Sequence, residues 1–509
     1  MNYLNRSRSE HKLSPAQHLS YLGLLVFTAA FFLACAFYQS RWFDEAYTMA
    51  MVRQDVFKII AITSQDVHPP LYYLLLKAAA FFFGESIIVY RIVSVVGMVL
   101  LASLGYTQVR KIFDTKTGFY FIFLVTFLPV MLEYSVEARM YSWAIFFTTA
   151  AGIYAYFAAC RNRQKDYLWL VFFSLCAAYT HYYALLGVIF LNLIFFAASF
   201  KKGYLKQGLL VLALEIILYL PWVFILIRQM ISVAQEYWIV INYKYLLRDF
   251  SVFYFAENLP QTAAMVLTYL LFLICALGIA QAVREQRDNL RVCFLSIAVY
   301  VAVIIAALLL SQVKPIFITR YLMPNSGLLF IALAFGLASY RQKLAPYCLC
   351  LIILAASLTN FYFNYHKIYD AENKALEENI ALSLKVEDIF VYTDIHPAGI
   401  YSGIFPNNKH YVYFPTDNPP AETKPNPFQP ELTIIYNLDV LKNYQGRIWL
   451  LETIYAQPLY GEWGKNEQLF TVLDYGRVYN MPFLGGKGFI FTTSLFQKKP
   501  GAIFSQEAR

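Results

Sequence analysis

Apolar runs long enough to cross about 30 Å of hydrocarbon recur near residues 20–38, 89–109, 118–132, 141–160, 166–181, 183–200, 207–228, 261–283, 291–311, 322–340 and 345–363. They predict about eleven transmembrane helices. One further run, Leu71–Phe83, is opened by Pro69-Pro70, closed by Gly84-Glu85 and only about 13 residues long. Too short to span, it reads as a juxtamembrane helix at the interface. Beyond Phe363 charges, Asn and Pro return. A helical period covers Ala371–Leu384, and Ile389–Thr393, His410–Phe414, Leu432–Tyr436, Arg447–Glu452, Leu469–Tyr475 and Gly488–Thr493 read as strands, with a proline-rich loop at Pro415–Pro430. The predicted architecture is an α-helical polytopic membrane part, residues 1–363 with an outer loop at 39–88, followed by a small extracytoplasmic α/β domain, residues 364–509.

Basic residues set the orientation. With Leu71–Phe83 left out of the bilayer, Arg6, Arg8 and Lys12, Arg110-Lys111 with Lys116, Arg161 and Arg163 with Lys165, Lys201-Lys202 with Lys206, Arg284 with Arg287 and Arg291, and Arg341 with Lys343 fall on one face. Lys and Arg in short loops mark the cytoplasmic side, so the N-terminus is expected inside and the C-terminal domain outside. The same parity gathers Asp44, Glu45, Asp66, His68, Glu133, Glu137, Arg139, His181, Glu236, Lys314 and Arg320 on the opposite face. Ala34-Cys35-Ala36 resembles a signal-peptide cleavage site, but the length of the apolar run before it favours a retained first span.

Composition agrees with this class. The chain is 59% hydrophobic and 14% charged, against roughly 25% charged in soluble domains. A net charge of +9 would point to nucleic acid in a soluble chain; here its placement in one-sided loops makes it a topology signal. The seven cysteines lie almost entirely within apolar runs without ligand spacing, which implies neither a disulfide framework nor a metal site.

The chemistry-bearing residues cluster in short segments. Arg41-Trp42-Phe43-Asp44-Glu45-Ala46-Tyr47 follows the first span, and Asp66-Val67-His68-Pro69-Pro70-Leu71-Tyr72-Tyr73 leads into the juxtamembrane helix. A carboxylate near the centre of a bilayer costs about 2.5–3.5 kcal/mol, so this group belongs at a water-facing edge. Solvated loop charge is the plain alternative. Arg139 ends a helix beside Glu137, where a guanidinium suits a lipid phosphate or simply pairs with Glu137 or Glu133.

These segments, with Ser135-Val136-Glu137-Ala138-Arg139-Met140-Tyr141, Thr180-His181-Tyr182 and Arg320-Tyr321-Leu322, resemble the bacterial relatives of the dolichyl-phosphate-mannose protein mannosyltransferases. That group, within the GT-C glycosyltransferases, includes the aminoarabinose transferases that modify lipid A. The resemblance covers roughly residues 20–340 and is most specific in Asp-Val-His-Pro-Pro. It implies an enzyme that moves a sugar from a polyprenyl-phosphate carrier to a lipid, glycan or protein acceptor at the outer face.

On that resemblance Asp44 is expected to be the base, with Glu45, Asp66 and His68 as further catalytic candidates. Glu137, Arg139, His181, Tyr182, Lys314, Arg320 and Tyr321 are the substrate-binding candidates, and Trp42 and Tyr47 are expected near a sugar. No cofactor is implied beyond the lipid-linked donor; the carboxylates admit a divalent metal without requiring one. Two other classes fit a polytopic chain. An oligosaccharide ligase or polymerase using diphosphate-linked glycans would carry its large outer loop in mid-chain. A secondary transporter would place ionisable groups mid-membrane, where Glu215 is the one acidic residue of this sequence.

Overall fold

The computed structural model describes residues 13–37, 42–232, 241–255, 259–366, 377–414, 426–428, 430–453, 475–484 and 490–498. Arg6, Arg8, Lys12, Glu236, most of the Pro415–Pro430 loop, the first part of the Ala371–Leu384 helix and all but the last residue of the Leu469–Tyr475 strand lie outside the described residues. The chain divides into two compact units, Met1–Phe37 with Ile59–Tyr365, and Tyr38–Lys58 with His366–Arg509.

The first unit is helical. Among the described residues nine helices are long and apolar enough to cross a membrane: Pro15–Ala36, Ile87–Ile112, Tyr141–Arg161, Tyr182–Lys201, Leu205–Ile231, Gln261–Arg284, Leu290–Leu310, Thr319–Ala338 and Leu344–Phe363. The predicted 118–132 run is a broken pair, Thr115–Phe127 and Pro129–Val136, bent by 67°, which would make a tenth span if counted as one. The cause of the bend is local. Pro129 disfavours helical backbone at the preceding residue, and Leu128 adopts φ −66°, ψ 123°. The predicted 166–181 run is a helix of 15 residues, Gln164–Ala178, about 22 Å long and short for a full crossing. Leu71–Phe83 is the expected short helix, burying Tyr72, Tyr73 and Leu76 and leaving Phe81, Phe82 and Phe83 exposed.

At the centre stands Met323–Ala338, every residue of it buried. Helices Thr115–Phe127, Tyr141–Arg161, Tyr182–Lys201, Gln261–Arg284 and Leu290–Leu310 all pack on it. A helix surrounded by others needs close backbone approach as much as apolar character, because lipid supplies no hydrophobic force between helices. Gly278 and Gly336 provide it: a Cβ at 278 would run into the Gly336 carbonyl, and one at 336 into the Cys275 carbonyl.

The second unit contains a six-stranded sheet of order β3-β2-β1-β4-β6-β5. Its strands are β1 (Ile389–Tyr392), β2 (Lys409–Tyr413), β3 (Leu432–Ile435), β4 (Ile448–Thr453), β5 (Tyr475–Leu484) and β6 (Ile490–Lys498). The pairs β3–β2, β2–β1 and β1–β4 are parallel, and β6 joins β4 and β5 antiparallel. Helix Ile395–Ile404 begins where Asp394 caps it by accepting from the His396 N–H at 2.7 Å. Helix Phe43–Arg53 belongs to this unit, with Ala46 and Ala50 in the same core as Phe390, Tyr392, Trp449 and Leu451.

Gly278→Val is expected to force the 261–284 and 323–338 helices apart and cost about 1–3 kcal/mol, the range of overpacking in a filled core. Thermal unfolding in detergent should show it. Gly23→Val is the control, because nothing lies within 4 Å of a Cβ added there; equal loss in both would remove the close-approach account.

Candidate active site

Four segments of the membrane unit bring their functional side chains together. His68 follows the turn at Asp66, whose N–H reaches the Ile62 carbonyl at 3.1 Å; Pro69-Pro70 then leads into the 71–83 helix. The Leu71 N–H donates to the Tyr179 carbonyl at 3.1 Å, so this entry is tied to the segment before His181.

Arg139 lies in the break between Pro129–Val136 and Tyr141–Arg161. That break is held by a relay: Ser94 Oγ donates to the Glu137 carbonyl at 2.7 Å, which leaves the Tyr72 hydroxyl to donate to Ser94 Oγ at 2.8 Å. Arg139 Nη1 donates to the Tyr73 hydroxyl at 3.2 Å, and the whole side chain is buried.

His181 is the N-cap of the 182–201 helix. Its Nδ1 accepts from the Tyr183 N–H at 3.0 Å, so in the neutral ring the proton sits on Nε2. Among the described residues that Nε2 has no hydrogen-bond partner, although it is buried. Arg320 sits in the Thr319–Leu322 turn that leads into the central helix, its guanidinium 5.6 Å from the Tyr321 ring.

Ring distances and charges place these groups together. The His181 ring is 5.6 Å from His68, 5.7 Å from Tyr141 and 5.3 Å from Tyr321. Burial, then the guanidiniums of Arg139 and Arg320, push His181 down to about 3. Burial, followed by Arg139, His181 and Arg320, holds His68 well below the usual imidazole range. The arrangement is two guanidiniums around two neutral imidazoles, with the buried tyrosines Tyr73, Tyr141 and Tyr321 beside them. Chemically it can hold a phosphate: charge from arginine forks, direction from N–H donors.

The remaining candidates lie elsewhere or act locally. Lys314 Nζ donates to the Met230 and Ile231 carbonyls, closing the C-terminal end of Leu205–Ser232. The Tyr182 hydroxyl meets Gln229 Oε1 and Trp222 Nε1, and Gln229 Nε2 donates to the Thr63 carbonyl at 2.7 Å. Asp66 is half-buried and acts electrostatically on Tyr182. Glu137 is buried beside Arg139, and its charge reaches Tyr134 and Tyr141.

Asp44 and Glu45 occupy the first turn of Phe43–Arg53 in the second unit, Glu45 buried and Asp44 half-buried, where carboxylates complement the helix dipole. Tyr47 in this helix packs its ring 5.9 Å from Phe428. Among the described residues no group of three or more His, Cys, Asp or Glu is placed to hold a metal ion. Tyr73, Ser94 and Tyr141 are not among the site residues singled out by the sequence. Tyr73 and Tyr141 stood within its own motif strings, but Ser94 gives no local signal, since its role depends on a long-range bond to the 137 carbonyl.

Both histidines are neutral when folded and chargeable when unfolded, so acid favours unfolding. For His181 the stabilisation is complete above about 6.5 and is lost as pH falls from there toward about 3. Thermal stability in detergent is expected to decline between pH 7 and 5 by up to about 1.4 kcal/mol per pH unit for each histidine. His181→Gln should flatten that slope; an unchanged slope would contradict the buried neutral ring.

Residues 67–225 match the family model described as dolichyl-phosphate-mannose-protein mannosyltransferase, a stretch that includes His68, Arg139 and His181. No curated protein matches the chain significantly in sequence. Among solved structures the chain is similar to ArnT from Cupriavidus metallidurans in the apo state and bound to undecaprenyl phosphate. Each comparison has 9% identity and a TM-score of 0.56 and covers 94% of this chain and 98% of the other. At that identity the likeness is one of fold. The chain has an ArnT-like fold and resembles the GT-C glycosyltransferases of the mannosyltransferase and aminoarabinose-transferase group.

Proposed function

We propose that this protein is an integral-membrane glycosyltransferase that moves a sugar from a polyprenyl-phosphate-linked donor to an acceptor on the outer face of the membrane. The observation that carries the reading is the set of buried Arg139, His68 and His181 with half-buried Arg320, contributed by separate segments and lying largely within the family-matched region. The ArnT structure bound to undecaprenyl phosphate supports a lipid phosphate as ligand. The one-sided basic loops support an inside N-terminus and an outside C-terminal domain.

In the proposed reaction the bond between the anomeric carbon and the phosphate oxygen breaks while the acceptor oxygen bonds to that carbon. The acceptor's proton passes to Asp44, and the electron pair of the broken bond stays with the phosphate, which changes from a monoanionic diester to a dianionic monoester. Stabilisation is needed where this charge develops. Arg139 and Arg320 supply it, and the Nε2–H of His181 directs a hydrogen bond to a phosphate oxygen. Tyr73 orients Arg139. Glu45 and Asp66 remain further catalytic candidates.

Membrane vesicles with a radiolabelled polyprenyl-phosphate sugar test the reading. Asp44→Asn is expected to lower turnover by about 10² to 10⁴, the contribution of a positioned base, with donor binding retained. Near-normal transfer by the folded variant would remove Asp44 from the mechanism.

Arg139→Ala is expected to weaken donor binding by about 1.5–3 kcal/mol, the worth of a hydrogen bond to a charged group. Arg139→Lys keeps the charge without the fork and should recover partly at high donor concentration. A Glu137→Gln/Arg139→Gln double variant separates binding from simple neutralisation of Glu137: full activity would make the arginine structural and return the phosphate to Arg320.

A further inference from the structure

The central helix of the membrane unit begins at the site and ends at a cavity. Met323 follows the turn that carries Arg320, whereas Leu337 and Ala338 line a cavity of about 420 Å³. Sixteen residues at 1.5 Å each separate these ends by about 24 Å. Thr115–Phe127 repeats the relation: Lys116 in its first turn lines the cavity, and its bent continuation stops at Val136, next to Glu137. The cavity therefore lies at the opposite end of the bundle from Arg139, beside the loops expected on the cytoplasmic face.

Its lining has two characters. Phe119, Tyr120 and Phe123 from one helix and Tyr347 from the Leu344–His366 helix make apolar and aromatic wall. Lys116 and Lys343 add two exposed ammonium groups, and among the described residues neither has an ion pair or a side-chain hydrogen bond. Two arginines at this end are held by other partners. Arg287 pairs with Asp114 and donates to Ser339 Oγ at 2.7 Å, and Arg341 pairs with Glu285 at 2.6 Å. Lys116 and Lys343 are the two cations that line the cavity.

The volume falls within the roughly 300–1,000 Å³ of small-molecule sites. An apolar recess between transmembrane helices with unpaired lysines at it fits an amphiphile with a phosphate head and a hydrocarbon tail, and basic recesses of this kind hold acidic headgroups. We propose that this cavity binds an anionic phospholipid of the bilayer, its phosphate held by Lys116 and Lys343 and an acyl chain lying along Phe119 and Phe123.

Native mass spectrometry of the purified full chain in non-ionic detergent, titrated with phosphatidylglycerol or phosphatidylcholine, tests this. The wild type is expected to retain one phosphatidylglycerol in preference to phosphatidylcholine. A Lys116→Gln/Lys343→Gln variant should bind it about thirtyfold more weakly, from the roughly fivefold that one ammonium contributes at an anionic surface. Cys350→Phe, which fills the cavity and leaves both lysines, should reduce binding as well. Equal retention of the two phospholipids, or unchanged phosphatidylglycerol binding in both variants, would overturn the proposal. So would displacement of bound phosphatidylglycerol by equimolar polyprenyl phosphate, which would assign the cavity to the carrier lipid.

Discussion

The membrane unit is organised by the cost of keeping guanidiniums and imidazoles out of water. An isolated charge in a low-dielectric interior loses several kcal/mol of hydration even after relaxation, so a buried cation persists only where geometry and hydrogen bonds hold it. Arg139 meets this condition at a break between two helices, next to backbone that the Ser94 and Tyr72 relay has fixed. The histidines meet it differently, by giving up their charge beside the arginines. Each solution needs a helix end, because only there does backbone stop satisfying itself and become available to side chains.

Those ends are held in place from below by the central helix. Met323–Ala338 is buried throughout and touches five neighbours, two of which, Tyr141–Arg161 and Tyr182–Lys201, begin right after Arg139 and His181. Asn325 makes the link direct: its Nδ2 donates to the Tyr183 carbonyl at 2.8 Å, fixing the first turn of the helix that His181 caps. Close packing at Gly278 and Gly336 thus has a consequence at the site, since the helix they seat carries the Arg320 turn at its own start.

The spans and most strands were legible because a bilayer or a sheet imposes a period that composition records. Length was less legible than apolarity. The 118–132 run looked like one crossing, and only the pairing of Pro129 with an extended Leu128 turns it into two helices at 67°. His68, Arg139, His181 and Arg320 stood out as polar residues at helix ends, and the structure does bring them together. Lys314 looked equivalent by the same rule, but its ammonium is used by two backbone carbonyls, a partner choice that no local pattern encodes. The 39–88 stretch read as a single loop, whereas the chain divides at Lys58 and Ile59, because Ala46 and Ala50 recur at helical spacing and complete a core built from residues more than three hundred positions away.

The mixture of charged arginines and neutral histidines has a chemical logic for the proposed transfer. A phosphodiester donor carries one negative charge and the monoester that leaves carries two, so a useful site must favour the second state over the first without holding it indefinitely. Fixed cations bind both states, and each added one deepens the product complex. A neutral N–H donor contributes less to ground-state attraction, yet its hydrogen bond strengthens as charge accumulates on the oxygen it faces. The Tyr183 backbone N–H at Nδ1 secures that donor by fixing the tautomer of His181, and burial, reinforced by the two guanidiniums, keeps the ring from protonating. In the proposed transfer the arginines therefore do two things at once: they attract the phosphate, and together with burial they hold the histidines in the form whose hydrogen bonds answer to the change in charge.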